Sequence, residues 1–390
     1  MQLYFDNAAT SFPKPDVVLD AIVQYQYNCG ASPGRGAYSQ AVEATNLLDT
    51  CRKQLCKIVN APSTNHCIFT NNCTDALNVA INGIAQQHLS NNFPVHIVTT
   101  AMDHNSVLRP INELSKTGVT CTIVKANPET GVVDPSAIKK AISSTTRLVV
   151  VAHGSNVTGT IQDIKAIGSI CGDIPFLVDA AQTMGHFPID VQEMNIDLLA
   201  FPGHKGLLGP LGIGGLILKP GVENILSPTR TGGTGSESEH PVQPSTMPDK
   251  YEVGSHNMIG VAGLVASTNW ILSKGIDCLL EKEKALTLQF INALKEIDGV
   301  RIAGPQSTEN RCAVFSLVFE NCPHATAKKL ETDFGICSRS GLHCAPFAHQ
   351  TIGTDVQGGT LRVSFGPFHT PEDVRQLCKA ISYCTEQCLV

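Results

Sequence analysis

The sequence lacks a C-x-x-C pair. Its 15 cysteines are scattered from Cys29 to Cys388, which excludes a zinc knuckle or a thioredoxin-type dithiol; the odd count suits reduced thiols, most of them small buried residues. It also lacks any run of about 20 apolar residues, so no membrane span is expected. The opening Met1-Gln-Leu-Tyr-Phe-Asp6 lacks the basic segment and long apolar stretch of a secretory leader, and a cytoplasmic location is expected. Charge is scarce as well. Only 16% of residues are charged and the net charge is −6, leaving no basic surface for nucleic acid. What the chain has in quantity is apolar side chains, 42% of 390 residues, enough for a well-buried α/β enzyme with one large and one smaller domain.

Short apolar runs at residues 67–70, 94–100, 147–153, 176–183 and 198–201 read as strands, and stretches of helical spacing lie between them. Strands alternating with helices predict a mainly parallel sheet covered on both faces. The run at 213–218 returns too soon after 198–201 for a helical crossover and is expected to be antiparallel to it. Residues 228–250, rich in Pro, Gly, Ser and Thr, are expected to form an extended loop. Beyond it, helical patterns at 259–272 and 276–297 precede strands at 313–319 and 361–365 that bracket a helix at 325–334. The division expected is a large domain of residues 16–257 and a small domain of residues 1–15 and 258–390.

Polar residues at strand ends carry the candidate chemistry. The stretch from Asp197 to Gly215 delivers His204 and Lys205 from a buried strand into a glycine-rich loop. A lysine held there shifts toward the neutral amine that reacts with an aldehyde; taken alone, the loop reads first as an ordinary glycine-rich turn with a surface lysine. Asn71-Asn-Cys-Thr-Asp75 runs from a strand into a helix, so the amides of Cys73 and Thr74 with the Thr74 hydroxyl suit a phosphate, or plain capping. His104 follows the next strand, placed to stack on a flat ring or to serve structure. Asp179 ends a buried run, a costly place for a carboxylate without a cationic partner. Ala8 and Ala9, in an N-terminal turn, are small enough to lie against a ligand. Near the carboxyl end, Cys344 follows His343 and Arg339, and the residues suit either a thiolate stabilised by cationic neighbours or an inert buried thiol. Arg362, in mid-strand, suits either a substrate carboxylate or a structural ion pair.

Together these motifs resemble the fold-type I, class V aminotransferase-like pyridoxal-phosphate enzymes, and within them the cysteine desulfurases and selenocysteine lyases. The resemblance runs nearly end to end, through Asp6-Asn-Ala-Ala-Thr-Ser11, Asn72-Cys-Thr-Asp-Ala-Leu-Asn78, Asp103-His104, Ser155-Asn-Val-Thr-Gly159, Asp179-Ala-Ala-Gln182, Gly203-His-Lys-Gly206, Arg339-Ser-Gly-Leu-His-Cys-Ala345 and Arg362-Val-Ser-Phe-Gly-Pro367. The Arg-x-Gly-x-His-Cys-Ala form is similar to the group II branch.

The resemblance implies a seven-stranded sheet in the large domain, a smaller α+β domain, pyridoxal 5'-phosphate as cofactor and no metal. By it, Lys205 carries the cofactor and His104 stacks on its ring. Asp179 meets the ring nitrogen, Gln182 the phenolic oxygen, and Cys73, Thr74 and His204 the phosphate. Asn156, Arg339 and Arg362 bind substrate beside Ala8 and Ala9, and Cys344 receives sulfur from L-cysteine as a persulfide, leaving alanine. A homodimer with Thr234 reaching the partner's cofactor, and a sulfur-acceptor protein, are implied too. Selenocysteine lyase, a β-eliminating C–S lyase and a non-catalytic cofactor-binding scaffold are the other readings. The chain departs from the family where Pro202 replaces a phosphate-binding serine, in the loosely matching segment 230–236, and in a tail with Cys384 and Cys388 that has no counterpart.

Overall fold

The structure, a computed structural model, describes residues 2–34, 36–320 and 322–386. Strand β1 (Leu3–Tyr4) is followed by helices α1 (Asp16–Gln24) and α2 (Ser39–Ile58). The alternation then begins with β2 (Cys67–Thr70), α3 (Cys73–Ser90), β3 (His96–Thr100), α4 (Asn105–Leu114) and β4 (Thr120–Val124). It continues through α5 (Pro135–Ala141), β5 (Thr146–Ala152), α6 (Ile164–Cys171), β6 (Phe176–Asp179), β7 (Leu198–Pro202) and β8 (Gly214–Leu218). These strands form one seven-stranded sheet in the order β2-β8-β7-β6-β5-β3-β4. From β7 to β4 all neighbours are parallel, and β8 is antiparallel to both β7 and β2, as its early return predicts.

Burial on both faces explains the apolar runs. Along β5, Leu148 and Val150 enter one core with Leu77, Ile81 and Ile84 of α3, while Val149 and Val151 enter another with Leu48 and Leu55 of α2. The period of two puts alternate side chains on opposite faces, so a strand buried on both sides has no polar positions to reveal its alternation. Strand β4 was not evident in the sequence. It lies at the sheet edge, where Thr120 and Cys121 are exposed and no continuous apolar run is required.

Helices α7 (Met258–Lys274) and α8 (Ile276–Leu294) part company in their packing. Val261, Leu264 and Ile271 of α7 join the core of the large sheet, whereas Leu286, Phe290 and Leu294 of α8 join a second core around Phe315 and Phe365. That core lies under a four-stranded antiparallel sheet made of β9 (Val300–Ala303), β10 (Val314–Phe319) and two later strands. After β10 come α9 (Pro323–Phe334), β11 (Ile336–Cys337), β12 (Arg339–Gly341), α10 (Pro346–Ile352), β13 (Thr360–Ser364) and α11 (Pro371–Glu386). The sheet order is β12-β13-β10-β9, and β1 pairs in parallel with β11, which ties the N-terminal segment to this half. The sequence pattern reveals β10 and β13, the two central strands; β9 and β12 are half-exposed edges with weak patterning. Cys384 is buried in α11, and Cys388 lies outside the described residues. Among the described residues no helix is long and apolar enough to cross a membrane.

Candidate active site

Because β3, β5, β6 and β7 are parallel, their carboxyl ends open on one edge of the sheet. The loops that follow, with the start of α3, line a cleft of about 550 Å³ that gathers Cys73, Thr74, His104, Asn156, Asp179, Gln182, His204 and Lys205. Eight positions spread over more than 130 residues of sequence thus share one cavity through sheet topology alone.

Lys205 follows β7 in a loop closed by the Gly203 amide on the Ile213 carbonyl and the Leu208 amide on the Lys205 carbonyl, both at 2.8 Å. A Cβ on Gly206 would lie 2.4 Å from the His186 ring and 2.5 Å from the Met184 carbonyl, so only glycine lets the chain turn there. Burial, with help from the Arg362 guanidinium, lowers the proton affinity of the Lys205 amine, and the Asp179 charge opposes this. Asp179 is 4% exposed at the end of β6. Burial raises its proton affinity, while a hydrogen bond from the Ala181 amide, the Lys205 charge and the Cys73 thiol oppose the rise.

His104 caps α4, its Nδ1 accepting the Ser106 amide at 3.0 Å. Burial and the nearby Lys205 and Arg339 charges hold the ring down to about 4, so it is neutral at physiological pH with its proton on Nε2. The loop is braced by the buried Asp103, which accepts from Thr99 Oγ1, both Thr100 donors and the Ala152 amide at 2.7–2.8 Å. Across the cleft mouth, Thr74 Oγ1 lies 2.7 Å from Ser106 Oγ. Asn72 caps α3 by accepting the Asp75 amide at 2.9 Å, which leaves the amides of Cys73 and Thr74 at the helix's open end. The His204 carbonyl takes the Ser11 amide at 3.0 Å, holding the N-terminal segment against the cleft. Its ring Nδ1 is buried and has no partner among the described residues.

The second half of the site comes from the four-stranded sheet. Arg339 of β12 stands directly opposite Arg362 of β13, so their side chains share a face. Arg362 is 2% exposed; it donates to Asp6 Oδ1 at 2.7 Å and to the Asn156 carbonyl at 3.3 Å, and its Nε has no partner among the described residues. An ion pair with Asp6 of the N-terminal motif therefore accommodates the mid-strand charge. The loop carrying Cys344 is docked on the cleft at two points. Asn156 Nδ2 donates to the His343 carbonyl at 2.7 Å, and the Asn105 amide donates to the Cys344 carbonyl at 2.8 Å. His343 and Cys344 are both in the left-handed region, at φ 47° and 58°, a strained pair of non-glycine residues. Cys344 is exposed and within electrostatic reach of Arg362. His343 is no cation for it. Burial and the Arg362 charge push this ring down to about 2, and Nε2 is turned to Thr360 at 3.1–3.2 Å.

Four expected site residues lie at the margins. Gln182 lines the cleft, yet its Nε2 donates to the Ala8 carbonyl at 3.0 Å. Ala8 is buried on the far side of Lys205 in a second cavity of about 650 Å³, and the Ala9 amide is spent on Asp6. Thr234 does not reach Lys205 in its own chain; it lines a separate cleft with Arg52 and His256. Ser106 carries no expectation from the sequence, although its hydroxyl, two residues after His104, is the available signal.

The Aminotransferase class-V family model matches residues 3–377. A probable cysteine desulfurase of Methanothermobacter thermautotrophicus is 37% identical over 96% of this chain and 92% of its own length. Another of Streptomyces coelicolor is 34% identical over 98% and 91%. The apo structure of a cysteine desulfurase from Thermococcus onnurineus NA1 superposes with a TM-score of 0.91 at 30% identity, covering 99% of this chain and 95% of that one. The fold is therefore that of these enzymes, with the mainly parallel seven-stranded sheet that the resemblance implies. By match length, by identity and by fold, the chain belongs to the class V aminotransferase family.

Proposed function

We propose that the chain is a pyridoxal-phosphate-dependent cysteine desulfurase that converts L-cysteine to L-alanine and holds the sulfur as a persulfide on Cys344. The observation that carries this reading is the seating of the Cys344 loop on the Lys205 cleft through Asn105 and Asn156. It ties the loop of an exposed thiol to the cavity lined by an amine and a carboxylate.

The residues fit pyridoxal 5'-phosphate. The unpartnered His204 Nδ1, the α3 amides and the Thr74–Ser106 hydroxyl pair suit its phosphate, with Ser106 supplying the hydroxyl that Pro202 cannot. Asp179 suits its ring nitrogen and the neutral His104 its ring face. When bound, the cofactor supplies an electron sink for the substrate Cα. The chain does the rest. Arg362, with Asn156 and Arg339, holds the substrate carboxylate, and the Lys205 amine, lowered in proton affinity, takes the Cα proton. The Cys344 thiolate attacks the substrate sulfur: an S–S bond forms, the C–S bond breaks, the electron pair left on carbon takes up the proton that the Cys344 thiol released to give the methyl group, and Lys205 returns its proton to Cα to complete alanine. Exposure of Cys344 lets a sulfur-acceptor protein reach the persulfide.

The proposal includes a homodimer, supported by the exposed Leu19 and Val23 of α1 and Tyr27 after it, with Thr234 serving the partner's cleft. It includes a cytoplasmic location, in keeping with reduced thiols. In place of the division expected after residue 257, it sets the boundary near residue 275, since α7 shares the core of the large sheet and α8 that of the small one.

Alanine release from cysteine and from selenocysteine, measured side by side for the wild type and Cys344→Ala, tests the reading. Cysteine turnover that disappears with Cys344 supports it. Turnover only of selenocysteine identifies a selenocysteine lyase, full cysteine turnover by the variant with sulfide release identifies β-elimination, and no turnover at all leaves a cofactor-binding scaffold.

A further inference from the structure

The cleft holds a polar side chain to which the scheme above gives no part. Cys73 occupies the first position of α3 and is buried. Its S–H donates to Oδ1 of Asp179 at 3.4 Å, within reach for a sulfur donor. The Ala181 amide donates to that same oxygen at 2.9 Å. Oδ2 has no hydrogen-bond partner among the described residues, and Asp179 lines the cleft. Two donors on one oxygen fix the plane of the carboxylate and leave the other oxygen available to an N–H group on a ligand.

We propose that Cys73 is a positioning residue whose thiol anchors Oδ1 of Asp179, so that Oδ2 meets the ring nitrogen of the cofactor. The proposal rests on the pyridoxal-phosphate reading. A hydrogen bond donated to a carboxylate favours its ionised form, the form that attracts a protonated ring nitrogen; here it counters the burial that drives Asp179 toward the neutral acid. The thiol itself stays protonated, because burial and the Asp179 charge push it well above the ordinary thiol range. Cys73 is thus a donor, with no role as a second nucleophile beside Cys344. Any contact of its main-chain amide with a phosphate is independent of the side chain, so the two roles separate experimentally.

The test compares pyridoxal 5'-phosphate with its 1-deaza analogue, which has carbon in place of the ring nitrogen. Equilibrium dialysis is performed on the full chain, stripped of cofactor, as wild type, Cys73→Ala and Cys73→Ser. The wild type is expected to prefer pyridoxal 5'-phosphate. Cys73→Ala should shrink that preference about three- to tenfold, the weight of one hydrogen bond, with affinity for the analogue unchanged, and Cys73→Ser, which retains a donor, should restore most of it. Equal losses for both ligands would mean that Cys73 only supports the helix start, and an unchanged preference would mean that the thiol does not matter; either overturns the proposal. A wild type that binds the two equally, or neither, would overturn the underlying cofactor reading instead.

Discussion

The floor of the cleft and the cysteine loop solve opposite problems. On the floor, Asp179 and Cys73 are buried, their donors are fixed by strand ends and a helix start, and burial together with neighbouring charge sets their protonation. In the loop, Cys344 is exposed on a left-handed backbone pair, held by hydrogen bonds through its own carbonyl and that of His343. A group that must hold one charge state is kept from water; in the proposed reaction, a nucleophile that hands sulfur to another molecule is presented to it. The two regions come from different sheets, so their chemistry should be separable by mutation.

The largest effects test that separation directly. Lys205→Ala should lower cysteine turnover by about 10⁴-fold and remove the visible absorbance of the bound cofactor. Cys344→Ala should equally abolish cysteine turnover while leaving that absorbance intact. Mass spectrometry of the wild type after cysteine should find one reducible added sulfur on Cys344. A Cys344 variant that bleaches, or sulfur found only on Cys384, would erase the distinction between the two regions.

Arg362 lies between them, and its removal sharpens the boundary. Arg362→Ala should raise KM for cysteine about ten- to a hundredfold, the loss of a charged hydrogen bond worth ~1.5–3 kcal/mol, with the cofactor absorbance unchanged. Arg362→Lys should recover only part of it, because the guanidinium fork is lost. Loss of cofactor absorbance in Arg362→Ala would instead assign the residue to the floor through its pair with Asp6.

The smallest effect is on stability against pH. His104 and His204 at the cleft and His349 beside the cysteine loop are held down to about 4, and His343 to about 2, mainly by burial. A base whose folded pKa lies below its unfolded value of about 6.5 contributes stability present above that value and lost as pH falls through the folded one. Asp103, raised to about 6 by burial, and Asp179, also raised by burial, work in the opposite direction over part of that window, whereas the buried His153, held down to about 4, adds to the rings. The melting temperature should fall by several degrees between roughly pH 6.5 and 4. His343→Asn should reduce the slope and speed proteolysis near Cys344. A melting temperature that rises over this interval would contradict the neutral assignment of these rings.

Much of the fold was legible because buried parallel strands must be apolar throughout, and each ends where polar residues begin. Edge strands escaped for the converse reason: Thr120 and Cys121 of β4, and Arg339 to Gly341 of β12, face solvent on at least one side and carry no such run. In the site, Lys205, Asp179 and His104 were marked by their places at strand ends. The Asp6–Arg362 pair was not, since it joins residues 356 positions apart.

What the sequence determined by itself is the inventory: which strands are buried, where the glycine-rich lysine loop lies, and which residues carry the family's motifs. Only the tertiary structure decided protonation and partnership. Adjacency suggested His343 as a cation for Cys344, yet burial and two arginines make it neutral and Thr360 takes its ring. Charge state depends on solvent exclusion and on charges within a few ångströms, and both are set by elements distant in the chain; the order of residues specifies them only once the sheets have formed.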